Sequence, residues 1–429
     1  MESRIVDEIQ VLNPWLKDQS KSVFHMDDYI HREQAQRLLS PAWDSLVTVL
    51  VGPRQAGKTT LGFYLCQQVL KEQRFNQLVY LNCDSPLLRQ WLTGVTIISE
   101  LKEEFQLESF ILFIDEVQRL ESPGLFLKSL VDLKLPIKII VSGSSQLEMR
   151  SQVQEHLTGR QIEAIILPLS QKEIGSHLAL SSQLIDGCYP QIVESDERKL
   201  LLSQLYQNYI NKDIIEILQI GKPLAMERLL TLIAHSSGQL VNYESLSNDC
   251  GVSTAMIKSF LDVLVQTYVI KKIVPFVGNK RTEITSNPVL YFIDNGFRNQ
   301  ALGNFSGIDN RTDAGLLVEG KVFQEIYKYK TQNFLDFTIY YWRTKSGAEV
   351  DFIIYKNSDQ IIPVEVKYRN MSKATISRGF RSFIDAYSPD SAVIVTKDFE
   401  GFLSVHKTKV SFIPLRKFGN VLNLISGMF

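Results

Sequence analysis

Val47 to Gly62 reads VTVLVGPRQAGKTTLG, an apolar, β-branched run that passes directly into Gly52-Pro53-Arg54-Gln55-Ala56-Gly57-Lys58-Thr59. A strand over Leu46 to Val51 delivers the loop and a helix leaves it, so backbone N–H groups and the positive end of the helix dipole converge on one anion. That context makes the stretch a phosphate-binding loop. Gly52 and Gly57 allow the tight backbone path, Lys58 can reach the β- and γ-phosphates, and the Thr59 hydroxyl is a ligand for Mg²⁺. The cradle is expected over Gly52, Pro53, Arg54, Gln55, Ala56, Gly57, Lys58, Thr59 and Thr60. Beyond it, TLGFYLCQQVLKEQ spaces Leu61, Tyr64, Leu65 and Leu70 for a helix buried against a sheet.

Further strands follow at intervals that leave room for helices, which indicates a parallel sheet. Gln77 to Asn82 (QLVYLN) ends in Cys83-Asp84-Ser85-Pro86, a strand-to-loop exit. Phe110 to Gln118 (FILFIDEVQ) carries an apolar run into two adjacent carboxylates, Asp115 and Glu116. A fully apolar run suits a central parallel strand, and its carboxyl end is where ligands sit. There Asp115 can complete a Mg²⁺ shell while Glu116 polarises the attacking water. A third strand, Ile137 to Val141, ends in Ser142-Gly143-Ser144-Ser145, which fits either water positioning and γ-phosphate sensing, with Ser144 foremost, or a simple tight turn. His156 to Arg160 precedes a strand over Ile162 to Leu167, and Arg160 is either a guanidinium for a transition-state phosphate or half of a surface salt bridge.

The whole chain sets loose bounds on these readings. Its 429 residues suggest about three domains. Lys plus Arg (46) nearly cancels Asp plus Glu (47), so any basic surface for nucleic acid must be local. Cys66, Cys83, Cys188 and Cys250 stand far apart, which argues against a zinc site and suits a reducing compartment. No apolar signal core opens the chain and no window approaches the roughly 18 apolar residues of a membrane span. A cytoplasmic protein without membrane contact is expected.

Residues 1–45 read as mostly helical, with Ile5, Ile9, Val11, Leu12 and Leu16 on one face and a second helix over DDYIHREQAQRLLS. Residues 171–235 read as helices in which Leu200, Leu201, Leu205, Tyr209, Ile214, Ile215 and Leu218 pack inward and Asp213 and Glu216 lie on a solvated face. Leu240 to Leu264 has the grammar of helix, Gly-containing turn, helix, with Ser253 as cap and Met256, Ile257, Phe260, Leu261 and Leu264 as buried stripe. Lys271, Lys272, Lys280 and Arg281 surround a Gly278-Asn279 turn, so the segment looks like a winged helix. Its second helix offers only Lys258 as a cation, so protein packing and DNA contact, chiefly through the wing, are both compatible with it.

The order GPRQAGKTTL, FIDEVQ, SGSSQ, LTGR and LPLSQKEI resembles the AAA-type P-loop ATPases, and more narrowly an archaeal and bacterial ATPase family with the same succession of motifs. The likeness covers most of residues 25–220. It departs at Gln171, where the family more often has an aromatic residue, and at Gly187-Cys188-Tyr189-Pro190, where a second Gly is usual. The resemblance implies that residues 171–235 close over nucleotide as a lid.

The last third carries a different chemistry. Asp313 to Tyr329 reads as an amphipathic helix bearing Glu319, and strands are expected over Phe337 to Arg343, Glu349 to Tyr355 and Ile361 to Lys367. The period of two points Glu365 and Lys367 to one face while Val366 enters the core. Asp351 lies 365 − 351 = 14 residues before Glu365, close enough for a hairpin neighbour. Such a set can hold a hard divalent cation and leave Lys367 to orient or activate a water beside a phosphodiester. Glu365 and Lys367 alone would fit an exposed strand; Glu319 and Asp351 in order tip the reading to a metal site. Glu349 reads as a polar strand residue. The order Glu, Asp, Glu-x-Lys resembles the PD-(D/E)xK nucleases, with Val350 in place of the usual Pro, and the resembled ATPase family commonly appends such a domain with EVDF and EVK.

These readings together predict an α/β protein: a parallel-sheet, AAA-type P-loop NTPase with a helical lid, a winged helix and a restriction-endonuclease-like α/β domain. The expected parts are residues 1–24 (helical extension), 25–168 (ATPase core), 169–235 (lid), 236–300 (winged helix) and 301–429 (nuclease-like domain). The function implied is ATP binding and hydrolysis coupled to a nucleic-acid-directed, metal-dependent nuclease in DNA processing or defence. The rivals are a nucleotide-state switch for a protein partner, or a DNA-binding ATPase with an inactive terminal domain. ATP and Mg²⁺ are the expected cofactors, with Mn²⁺ an alternative at the nuclease-like site, and Glu319, Asp351 and Glu365 its metal ligands. DNA, a protein docking on the winged helix, and further copies of the chain are the candidate partners.

Overall fold

The apolar runs become β1 (Val47–Val51), β2 (Gln77–Asn82), β3 (Phe110–Asp115), β4 (Ile137–Gly143) and β5 (Gln161–Ile165) in a computed structural model of the chain. They form one sheet in the order β2-β3-β4-β1-β5, with every neighbouring pair parallel. The structure describes residues 1–18, 21, 29–144, 156–210, 214, 221–277 and 287–427. They fall into two compact units, Met1–Leu167 and Pro168–Phe429.

In the first unit every residue of β1 and β3 is buried, as central parallel strands covered on both faces require. One apolar layer gathers Val47, Val49, Val51, Leu112 and Ile114; the other gathers Leu50, Phe113 and the helix residues Leu61 and Leu65. The first helix, Ser3–Leu12, buries Ile5 and Ile9 but leaves Val11 exposed. Its exit seals the edge of the sheet. Asn13 donates to Tyr80 O at 2.8 Å and accepts from Tyr80 N at 2.6 Å, and Trp15 Nε1 donates to Leu78 O at 2.8 Å. An edge strand left bare would template pairing with another chain. The helix expected over DDYIHREQAQRLLS is reduced, among the described residues, to Ala35–Leu38.

The second unit starts with helices Gln171–Ile174, Leu180–Asp186, Pro190–Glu194, Arg198–Asn208 and Pro223–His235. Asp213, Ile215, Glu216 and Leu218 lie outside the described residues. Helices Tyr243–Cys250 and Thr254–Gln266 meet at a left-handed Gly251, and Ser253 caps the second through Met256 N at 3.2 Å. Two antiparallel strands follow, β6 (Ile270–Ile273) and β7 (Val289–Phe292). The Gly278-Asn279 turn, Lys280 and Arg281 lie outside the described residues.

A long helix, Ala314–Gln332, leads to a six-stranded sheet. Here β8 (Thr338–Arg343), β9 (Glu349–Asn357) and β10 (Gln360–Lys367) run antiparallel. The helix Arg378–Tyr387 then returns the chain to β11 (Ser391–Thr396), parallel to β10, and β12 (Gly401–Val405) and β13 (Thr408–Pro414) complete the sheet. The long helix carries a buried charged cluster. Lys321 pairs with Glu325 at 2.9 Å, Glu325 accepts from Gln171 N at 3.0 Å, and Lys328 donates to Leu169 O at 2.8 Å. Buried charges persist only where such partners satisfy them. No helix among the described residues is long and apolar enough to cross a membrane.

Candidate functional site

The phosphate-binding loop is held from beneath. Gly52 takes φ +149°, and a Cβ there would stand 2.1 Å from Ile166 O, so only glycine lets β1 leave against the end of β5. Gly57, at φ +90°, turns the chain into the helix Lys58–Lys71. Lys58 Nζ donates to Gly52 O at 3.1 Å and Pro53 O at 2.9 Å, folded over its own loop. Arg32, buried, donates to Ala56 O and to Leu167 O. This loop support was not foreseen: a lone Arg upstream of the motif carries no sequence signal of its own.

At the carboxyl end of β3 the acids are placed by different means. Asp115 is buried and accepts from Thr59 Oγ1 at 2.8 Å, from Tyr80 OH at 3.1 Å, from Glu116 N at 3.1 Å and from Ser142 Oγ. Burial and the adjacent Asp115 push the Tyr80 hydroxyl well up, so it stays a donor. Glu116 leaves the strand in the left-handed region (φ 53°, ψ 40°), which is why β3 ends at Asp115 and not at Gln118. That turn points its side chain to Gln118 Nε2, 2.5 Å away, and Ser144 Oγ, 3.3 Å away, both donating to the same Oε2. Gln118 Nε2 also donates to Ser144 Oγ at 3.1 Å. Thr59 and Asp115 bring two oxygen donors within one hydrogen bond, a set that fits a hard cation.

Arg160 is not brought to this place. Its carbonyl accepts from Val47 N at the amino ends of β1 and β5, the sheet edge opposite the loop, and its guanidinium pairs with Asp132 at 3.4 Å, both half-exposed. Within the chain the salt-bridge alternative holds, and a direct role on this loop's phosphate is excluded by position.

In the second unit, β9 and β10 pair up to Phe352↔Val364 and then part. Asp351 occupies the opening, its Oδ2 accepting from Val366 N at 2.7 Å where a strand carbonyl would otherwise serve. Glu319, on the long helix, accepts from Tyr291 OH at 2.6 Å. Glu319, Glu349 and Asp351 line one cavity of about 480 Å³ with Tyr291, Gly238 and Arg343. Desolvation, with Asp351 nearby, raises Glu319 well above the usual carboxyl range, and desolvation with Glu365 beside it raises Asp351 to about 7.

Glu365 departs from expectation. It is only 3% exposed, whereas Val366, expected in the core, is half-buried. Lys367 Nζ lies 2.6 Å from Glu365 Oε1, and Ser377 Oγ donates to the same carboxylate at 3.0 Å, so this acid is covered by its own neighbours outside the cavity wall. No group of three or more His, Cys, Asp or Glu side chains among the described residues gathers to metal-holding distance. Glu319 and Asp351 on the wall of one cavity would suit one hard cation, which accepts one or two carboxylates with water completing its shell. The residues that would hold it are Glu319 and Asp351.

Residues 44–175 match the family model described as an AAA domain, residues 178–307 one described as a domain of unknown function (DUF8612), and residues 314–418 a second such domain (DUF4143). The first match and the sheet agree on a P-loop NTPase fold of AAA type. An uncharacterized protein of Mycobacterium tuberculosis is 28% identical over 363 residues, 82% of this chain and 76% of the relative. Another from Haemophilus influenzae is 24% identical over 81% of this chain and 88% of its own length. Among solved structures, AMPPCP-bound DnaA from Aquifex aeolicus aligns at 15% identity over 54% of this chain and 85% of its own, with a TM-score of 0.27. PCH-2 from C. elegans aligns at 16% over 41% and 43%, with a TM-score of 0.23.

Proposed function

We propose that the chain hydrolyses ATP and couples that cycle to a nucleic-acid-directed C-terminal domain with a metal-dependent nuclease site. The observation that carries the first half is the contact of Thr59 with Asp115 beside a Glu116 held by two donors. Thr59 and Asp115 would hold Mg²⁺, which when bound would supply charge neutralisation for the nucleotide's phosphates. Lys58 moves from its loop carbonyls to the phosphate oxygens, while the loop N–H groups take the rest of the charge. Glu116 accepts the proton of the attacking water. Gln118 and Ser144 both occupy its Oε2, which leaves Oε1 for that water. Gln118 Oε1 is buried without a hydrogen-bond partner among the described residues, an acceptor that the second hydrogen of that water would satisfy.

The nuclease half rests on Glu319 and Asp351 lining one cavity at the parting of β9 and β10. We assign residues 1–24 to an extension, 25–168 to the ATPase core, 169–235 to a lid, 236–300 to a winged helix and 301–429 to a nuclease-like domain. Antiparallel β8–β10, a helix and then parallel β11 support the last assignment. Lys367 positions the water or scissile phosphate once it exchanges Glu365 for substrate.

One observation favours a second reading, in which the winged helix docks on protein. The cation of its second helix, Lys258, sits 5.4 Å over the Tyr243 ring instead of projecting toward a groove. The deciding experiment measures ATP hydrolysis with and without DNA beside cleavage of single-stranded, duplex and branched DNA in Mg²⁺ or Mn²⁺. Nicking that disappears in Asp351→Ala and Lys367→Ala supports the proposal. Hydrolysis without cleavage of any substrate overturns the nuclease half.

A further inference from the structure

We infer that Tyr291 and Gly238, which precede the acid-bearing helix and sheet, complete the metal pocket, with Tyr291 as a positioning residue that aims Glu319. This rests on the metal reading of the same cavity. Tyr291 is fully buried on β7. Its ring stacks on Phe323 at 4.7 Å between centroids and 17° between planes, and lies 5.4 Å from Phe352. The ring is fixed by both neighbours, so its hydroxyl has one address, Glu319 Oε1 at 2.6 Å. A carboxylate tied through one oxygen presents the other in a set direction, which is how outer hydrogen-bond donors orient metal ligands.

Gly238 packs against the same oxygen of that carboxylate, beside the Tyr291 ring. Its N–H donates to Leu290 O at 3.1 Å, which pins it beside β7. It takes φ +83°, and a Cβ there would lie 2.6 Å from Glu319 Oε1. Any other residue displaces the acid. The acids of the C-terminal third therefore do not make the pocket alone: it is composite, and Gly238 and Tyr291 set the direction of its helix-borne ligand. A pair serving stability alone would have no reason to leave Glu319 on the wall of a cavity shared with Asp351, whose one lining cation among the described residues, Arg343, lies 3.8 Å from Glu349.

The test is a Mn²⁺ titration of the full, nucleotide-free chain, read by electron paramagnetic resonance, with Glu319→Gln identifying the site. Tyr291→Phe keeps the ring stacking and removes only the hydroxyl. It should weaken Glu319-dependent Mn²⁺ binding by roughly 10-fold or more, with circular dichroism unchanged. Gly238→Ala should weaken the same site. Wild-type affinity retained in both variants overturns the inference and leaves the metal reading standing. Absence of Glu319-dependent binding in wild type overturns both.

Discussion

Replacing Gly52 with Ala tests the seat of the phosphate loop. The added methyl carbon would stand 2.1 Å from Ile166 O, where a tolerable contact needs about 3.2 Å, so the loop or the end of β5 must move by roughly 1 Å. The backbone can give little, because Ile166 N is bonded to Val51 O at 2.7 Å one residue away. Overpacking costs about 1–3 kcal/mol, and holding Ala at φ +149° adds on the order of 1–2 kcal/mol. The sum, about 2–5 kcal/mol, corresponds to a fall in melting temperature of roughly 5–15 °C for a unit of this size. A 1 Å shift of the loop also takes its N–H groups off the phosphate. Differential scanning fluorimetry and fluorescent ATP-analogue titration read the two effects. Gly94→Ala, with nothing within 4 Å of its new methyl, is the control and should change neither. A Gly52→Ala protein that melts and binds nucleotide like wild type would refute this account of the loop.

Two further substitutions probe the same unit. Arg32→Met should lower both stability and ATP affinity, by about 2–4 kcal/mol in stability, because Ala56 O and Leu167 O lose a buried charged donor; unfolding in urea with and without nucleotide measures it. Burial lowers Lys138 from 10.5 to about 8, so between those values the unfolded chain binds more protons and stability rises with pH. Lys138→Met should remove that component, worth on the order of 3 kcal/mol, so the wild-type-minus-variant stability difference should rise with pH between about 8 and 10.5. Identical pH slopes in the two proteins would overturn the assignment.

What could be read from the chain, and what could not, divides along local and long-range chemistry. The loop and the Asp115-Glu116 pair were legible because each is a short motif attached to a fully apolar strand, and β2 appears over Gln77–Asn82 as expected. Parallel strands buried on both faces announce themselves by composition. Glu116 was legible as an acid but not as a left-handed turn, since nothing in FIDEVQ fixes its φ before Gln118 and Ser144 take hold of it. Alternation misplaced Val366 and Glu365: Lys367 and Ser377 cover the acid, and a partnered carboxylate can be buried where a lone one could not. Arg32 and Tyr291 were invisible because their partners, Leu167 and Glu319, lie far along the chain.

The central claim is that Glu116 activates water on a nucleotide held by Lys58, Thr59 and Asp115. The direct measurement is ATP turnover beside ATP affinity for wild type and Glu116→Gln. Loss of a general base should lower kcat by about 10²–10⁴-fold while the dissociation constant for ATP stays within a few-fold. Undiminished hydrolysis by Glu116→Gln would contradict the account.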